Sequence, residues 1–123
     1  EGKADAVVLI NTLLGMAIDI KTRRPILHNN TGGYSGPAIK PIALRMVSEC
    51  YQVLSIPIIG CGGIMNYQDV LEFMIAGSSA VEIGTGSLIH PTLPVDITRD
   101  LEDFCLDHNM KLSELTGTLE LWD

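Results

Sequence analysis

Three short apolar runs punctuate the chain, and each is close to continuous rather than alternating: Ala6-Val7-Val8-Leu9-Ile10, Ile58-Ile59-Gly60 opened by Pro57, and Ala80-Val81-Glu82-Ile83-Gly84. Unbroken β-branched runs of this kind predict parallel strands covered on both faces. Each closes on glycine or a small polar residue, in the strings Ile10-Asn11-Thr12, Ile59-Gly60-Cys61-Gly62-Gly63 and Ile83-Gly84-Thr85-Gly86. After the second and third strings the apolar spacing turns helical. Strand, glycine turn and helix in repetition is how an α/β barrel builds a site at the C-terminal ends of its strands. The step from Gly60 to Gly84 is 24 residues (84 − 60), which suits a single βα repeat.

The helical patterns are equally specific. One helix is expected from near Pro37, with Ser35 or Gly36 capping it and proline suiting its first turn. Its apolar stripe is Ile39, Ile42, Ala43, Met46, Val47, Cys50, Val53 and Leu54. Asn66 is placed to cap a second helix, with Asp69 near the positive end of its dipole and Gly77 as its C-cap. That helix carries Val70, Leu71, Phe73, Met74 and Ile75. A last helix is expected over residues 95–109, with Ile97, Leu101, Phe104 and Cys105 on one face, then a short helical turn from Lys111 and Thr116-Gly117. The stretch from Leu13 to Ser35 is too long for a passive connection and holds Gly15, Pro25, Asn29, Asn30, Gly32 and Gly33. It predicts a loop with some short strand structure, folded over a site.

The fold implied is α/β, part of a (β/α)8 barrel forming one domain over residues 1–123. The chain has 123 residues. A complete barrel takes about 250, so an incomplete barrel is expected. A net charge of -7 argues against nucleic acid, because no Lys/Arg stripe is available to neutralise a phosphate backbone. No apolar run approaches the roughly 18 residues of a membrane span and nothing resembles a signal peptide, which leaves a cytoplasmic protein as the expectation. Cys50, Cys61 and Cys105 are odd in number and lack metal spacing, so reduced thiols acting as small buried apolar residues are expected. His28, His90 and His108 stand too far apart in sequence for a metal pairing to be read.

The glycine turns carry the chemistry. A phosphate approaching backbone N–H groups needs strand ends without side chains in the way, which suits Gly62, Gly63 and Gly84. Thr85 adds a hydroxyl donor. A single such glycine is equally well a tight βα turn; two turns on consecutive repeats favour a phosphate. No lysine or arginine lies at either turn, so a cationic counterpart must come from elsewhere. Asn11 and Thr12 offer an amide and a hydroxyl at a strand end, groups able to read a planar polar ligand or simply to make a turn and a helix cap. Gly32-Gly33-Tyr34-Ser35-Gly36-Pro37 either brings backbone close to a flat ligand or articulates a loop before a helix. Arg23, Arg24 and Lys40 are read as solvated surface charges.

Three strings make a resemblance specific: Asn11-Thr12-Leu13-Leu14-Gly15-Met16, Thr31-Gly32-Gly33-Tyr34-Ser35-Gly36-Pro37-Ala38-Ile39-Lys40-Pro41 and Ile58-Ile59-Gly60-Cys61-Gly62-Gly63-Ile64. In order and wording the chain resembles class 1 dihydroorotate dehydrogenase, the first two strings being most similar to the NAD-linked class 1B type. The likeness covers essentially the whole chain and implies that this part is the C-terminal portion of the family's barrel, about strands six to eight with their helices.

The resemblance implies oxidation of dihydroorotate to orotate in pyrimidine (UMP) biosynthesis, by hydride transfer to FMN at the barrel mouth. It implies Asn11 and Thr12 as substrate ligands and Ile10 against the flavin through its backbone. Gly36 would contact FMN, while Gly62, Gly63, Gly84 and Thr85 would cradle its phosphate. The family's catalytic base is a cysteine in the N-terminal half, so no catalytic residue is expected here. Cys61, beside the presumed phosphate, is taken as packing, because a base must lie within hydrogen-bond reach of its proton. The resemblance also implies a homodimer and a separate subunit with FAD and an iron–sulfur cluster passing electrons to NAD, since this chain lacks a cysteine cluster for such a centre. Alone, the chain is expected to be inactive. The rivals are another barrel enzyme using the same turns for a different phosphorylated ligand, and a non-catalytic half-barrel that binds FMN or another phosphorylated ligand or assembles with another copy.

Overall fold

The computed structural model describes residues 2–122. In chain order its elements are β1 (Val7–Leu9), β2 (Leu13–Gly15), β3 (Ile18–Asp19), β4 (Arg24–Pro25), β5 (Gly32–Tyr34), a 3-10 turn at Pro37–Ile39, α1 (Lys40–Tyr51), β6 (Ile58–Cys61), α2 (Tyr67–Ala76), β7 (Ala80–Glu82), α3 (Thr85–Ile89), α4 (Leu93–Asp107) and a 3-10 turn at Leu112–Leu115. The three predicted strands form one parallel sheet in the order β1-β6-β7. Val8 stands opposite Ile59, and Ile59 opposite Ala80. Strands that follow one another through helical crossovers and lie side by side are the arrangement of a barrel wall.

Helices α1 and α2 cover one face of this sheet, and their inward residues form the core with the sheet's own. Ile58, Val47, Val70 and Phe73 are buried to 2% exposure or less. Full burial of a side chain such as Phe73 contributes roughly 1.5–3 kcal/mol. The helix approaches β6 closely enough that a side-chain carbon on Gly60 would stand 2.5 Å from Phe73 Cδ1 and 2.6 Å from Ser78 Oγ. At its N-terminus, Asn66 accepts from the Asp69 amide at 2.9 Å while Asp69 accepts from the Asn66 amide at 3.2 Å, a reciprocal capping box. Gly77 ends the helix at φ 125°, a conformation that favours glycine.

The long segment after β1 is two small antiparallel ladders, β2 with β5 and β3 with β4, as the loop reading anticipates. Asp19 organises the turn between β3 and β4, accepting from the Lys21 amide at 2.8 Å and the Thr22 hydroxyl at 2.9 Å. The Lys21 bond, then the Thr22 bond, hold its carboxyl below the ordinary value.

Several expectations need correction. Helical structure begins at Pro37, as expected, as a 3-10 turn with Gly36 at its N-cap; α1 proper starts only at Lys40, and neither Ser35 nor Gly36 contributes a side-chain cap bond. The reason is local: Gly36 sits at φ 97° and has no side chain, and the Ser35 hydroxyl is engaged elsewhere. The helix stops at Tyr51, so Val53 lies beyond it and is exposed; Ile39, Ala43 and Val47 are buried and Met46 and Cys50 pack half-buried against the core, while Ile42 and Leu54 are exposed. Helix α4 starts at Leu93, because Pro94 fits its first turn, and ends at Asp107. The cysteines are free thiols but only half-buried. Among the described residues no helix is long and apolar enough to cross a membrane.

Both outer edges of the parallel sheet are unpaired among the described residues, and Leu14, Ile20 and Leu88 are at least 80% exposed. Open strand edges and loose apolar side chains drive association. The 123-residue chain expressed alone is therefore expected to elute larger than a monomer and to bind a hydrophobic dye. A dye-silent monomer with a sharp thermal transition would contradict this.

Candidate functional site

The C-terminal ends of β1, β6 and β7 surround a pocket of about 280 Å³. Ile10 and Thr12 line it from beyond β1; Ser35, Gly36 and Ile39 from ahead of α1. Cys61, Gly62 and Gly63 enter from the end of β6, and Gly84, Thr85 and Leu88 from beyond β7. Ile10 is fixed there because its amide continues the β1–β6 ladder, donating to the Cys61 carbonyl at 2.8 Å. Seven of the eight residues singled out in the sequence thus share one pocket. Asn11 is the exception: it is exposed beside the lining, with its Oδ1 accepting from the Thr12 amide at 2.7 Å. Among the described residues its side-chain nitrogen has no partner.

The glycines explain how four chain segments come so close. Gly62 and Gly63 lie at φ 141° and 76°, where a side chain is strained. A side-chain carbon on Gly62 would stand 3.0 Å from Ala43 Cβ. One on Gly63 would stand 2.8 Å from the Gly36 carbonyl oxygen and 2.9 Å from Lys40 Cβ. Gly36 in turn faces Thr85, whose Cγ2 is 3.6 Å from the same hypothetical position on Gly36. The Thr85 hydroxyl donates to Ser35 Oγ at 2.8 Å, stitching the third turn to the loop before α1. Gly33 makes a similar accommodation outside the pocket lining, leaving room for the Thr12 side chain. The Gly32-Gly33 pair therefore belongs to strand β5 and to packing against Leu27 and Thr12.

Gly84 differs from the others. It has negative φ, and a side-chain carbon there would meet nothing within 4 Å. Among the described residues the amides of Gly63, Gly84 and Thr85 donate to no backbone carbonyl. Gly63 and Thr85 are half-buried, where N–H groups rarely stay without an acceptor, whereas Gly84 is exposed and its amide is open to water or a ligand. Open space above a glycine, beside unpartnered amides and a threonine hydroxyl, is what an oxyanion such as phosphate fits. No side chain in the lining carries a formal charge, as expected from the lack of Lys or Arg at the turns.

Cys61 does line the pocket, but its chemistry is muted. Burial, and next the Glu82 charge, push its thiol above the ordinary value, so it stays protonated at neutral pH. Lys40 is the clear correction to the sequence reading. It is not a solvated charge: its Nζ pairs with Asp69 Oδ1 at 2.6 Å and Glu72 Oε1 at 2.9 Å. Burial alone draws its pKa down, yet the hydrogen bonds and charges of Asp69 and Glu72 outweigh that, and the net shift is upward. A raised lysine pKa contributes stability below pH 10.5, lost as pH climbs through the shifted value. Arg23 and Arg24 are exposed, as read.

Sequence reasoning passed over Ser35 and Leu88. Ser35 stood inside a quoted string, but its bond to Thr85 spans 50 residues and has no local signal. Leu88 lies one turn of α3 beyond Thr85, a spacing of three that was legible only once α3 was recognised as a separate short helix. Among the described residues no group of three or more His, Cys, Asp or Glu is disposed to hold a metal ion.

A profile described as dihydroorotate dehydrogenase matches residues 1–105. The chain is similar to the protein of Geobacter sp. (strain M21) named dihydroorotate dehydrogenase B (NAD(+)), catalytic subunit, at 56% identity over 96% of this chain and 39% of the relative. It is 52% identical to the protein of the same name from Parabacteroides distasonis, with the same coverage. It thus spans about two fifths of the length of these curated relatives. Among solved structures, the DHODH of Eimeria tenella, crystallised in complex with ferulenol, superposes with a TM-score of 0.74 at 24% identity, over 93% of this chain and 31% of that one. That likeness carries the fold, a mixed α/β wall from such a barrel. With the profile match extending over most of its length, the chain belongs to the dihydroorotate dehydrogenase family.

Proposed function

We propose that this chain supplies the phosphate-binding side and part of the substrate floor of an NAD-linked dihydroorotate dehydrogenase, which oxidises dihydroorotate to orotate in pyrimidine biosynthesis with FMN as its cofactor. The observation that carries the reading is the meeting of Gly36, Gly62, Gly63, Gly84 and Thr85 in one pocket whose strand-end amides have no carbonyl partner. FMN bound there supplies the hydride acceptor, while the protein supplies orientation and electrostatics. Gly63, Gly84 and Thr85 would hold the phosphate through backbone N–H groups, with the Thr85 hydroxyl beside them. Gly62 and Gly36 keep side chains out of the space. Ile10, buried at the mouth, would lie along the flavin through its backbone.

Asn11 and Thr12 are exposed immediately past Ile10. The free Asn11 amide donors suit the polar edge of a dihydropyrimidine and would hold the ring against the flavin for transfer. A protonated Cys61 makes a poor base, so proton abstraction belongs to a group outside these residues. The relatives' designation as catalytic subunits supports a partner subunit, which we take to carry FAD and an iron–sulfur cluster and to pass electrons to NAD. We also assign the whole protein a homodimeric state and a cytoplasmic location, the latter in keeping with its free thiols.

Two substitutions in the complete polypeptide test these roles. Gly84→Val places bulk where the chain itself offers no contact. It is expected to weaken FMN binding by at least about tenfold, a loss of roughly 1.4 kcal/mol, with little change in the melting temperature of the apoprotein. Unchanged FMN affinity would remove Gly84 from the cradle. Asn11→Ala is expected to weaken orotate binding and turnover by about tenfold, the scale of one or two lost hydrogen bonds, with FMN retained. Normal turnover at unchanged orotate affinity would rule out Asn11 as a substrate ligand.

A further inference from the structure

The Gly62–Gly63 turn is tied into a closed circuit of contacts through Lys40 and Asp69, neither of which lines the pocket. Gly63 rests on the backbone and Cβ of Lys40, a side-chain carbon there being 3.1 Å from the Lys40 nitrogen. From Gly63 the chain passes through buried Ile64 to Met65, whose amide donates to Asp69 Oδ2 at 2.7 Å. The other oxygen of Asp69 accepts from Lys40 Nζ at 2.6 Å, which returns the circuit to the residue beneath Gly63. The Asp69 side chain is 9% exposed and that of Lys40 22%, so this pair is held away from bulk water. Glu72 also takes the ammonium but is half exposed.

We propose that Lys40 and Asp69 are positioning residues that hold the Gly62–Gly63 turn in the shape the cofactor phosphate requires, a role that rests on the phosphate reading above. Lys40 does not act by its charge on the ligand. Its ammonium is shared between two carboxylates, which leaves the local cluster net negative. The pair fixes the turn from behind, joining the start of α1 to the start of α2. Displacing a binding turn by a fraction of an ångström costs affinity without removing any contact partner.

The test compares FMN with riboflavin, which lacks the phosphate, as ligands of the complete apoprotein. Lys40→Gln and Asp69→Asn are each expected to lower the preference for FMN over riboflavin by about tenfold while riboflavin affinity holds. Lys40→Arg is expected to restore most of it, and Glu72→Gln to change it little, as for an exposed pair. Asp69→Asn keeps an oxygen for the Met65 amide but loses the ion pair. It also removes a negative charge, so a mere field effect would raise the FMN preference. A rise or no change on Asp69→Asn, or an unaltered ratio on Lys40→Gln, overturns the proposal. Should Asp69→Asn fail to fold, Lys40→Gln, which removes no cap, decides through its salt dependence. A positioning role leaves its tenfold loss unchanged between low and high salt; a loss that fades at high salt marks a charge acting on the phosphate and overturns the proposal. An unmodified protein that binds both flavins equally would overturn the phosphate reading first and this one with it.

Discussion

The structure depends on the close approach of the end of β6 to the start of α1. Gly62 and Gly63 turn there through positive φ, directly against Ala43, Lys40 and the Gly36 carbonyl. No residue with a β-carbon fits either position without moving backbone or helix. Because the turn lies this close, the loop ahead of α1 meets the strand ends, and Ser35 and Gly36 reach Thr85 across the pocket. A second close approach holds the two turns together. Gly86, at the start of α3, packs under the Ile64 carbonyl, where a side-chain carbon would stand at 2.8 Å. The pocket is therefore a by-product of backbone packing, and its donors are main-chain groups whose directions the fold sets.

This explains which parts were legible in the sequence. Continuous apolar runs announce parallel strands, and all three were placed within two residues of their observed ends. Asn66, Asp69 and Gly77 are local signals acting through bonds three or four residues apart, and the second helix follows them closely. The glycine turns could be located because their consequence is local, a backbone free to bend. What stayed hidden was long-range. Lys40 reads as one more surface charge until the fold brings it beside Asp69, 29 residues on. Ser35 reads as a helix cap until Thr85, 50 residues on, engages its hydroxyl. The end of α1 was also misplaced, since Val53 and Leu54 continue an apolar rhythm that the helix itself does not follow.

The chain divides labour in a way that suits the family to which it belongs. The pocket lining holds no charged side chain, and the one thiol in that lining, Cys61, is kept protonated, so little there can move a proton. What it offers is placement: amides at fixed positions, a buried isoleucine at the mouth and an asparagine with free donors beside it. Binding energy gathered at a phosphate remote from the reacting atoms can hold a flavin ring in register with its substrate. On the proposed reading the acid–base chemistry is left to residues outside this span, which covers 39% of the relatives' length.

The most direct measurement is the crystal structure of the complete polypeptide with FMN bound. Phosphate oxygens are expected at about 2.9 Å from the amides of Gly63 and Thr85, with the flavin ring running toward Ile10 and Asn11. A phosphate seated elsewhere, with the Gly62–Gly63 and Gly84–Thr85 turns left without an anion, would contradict it.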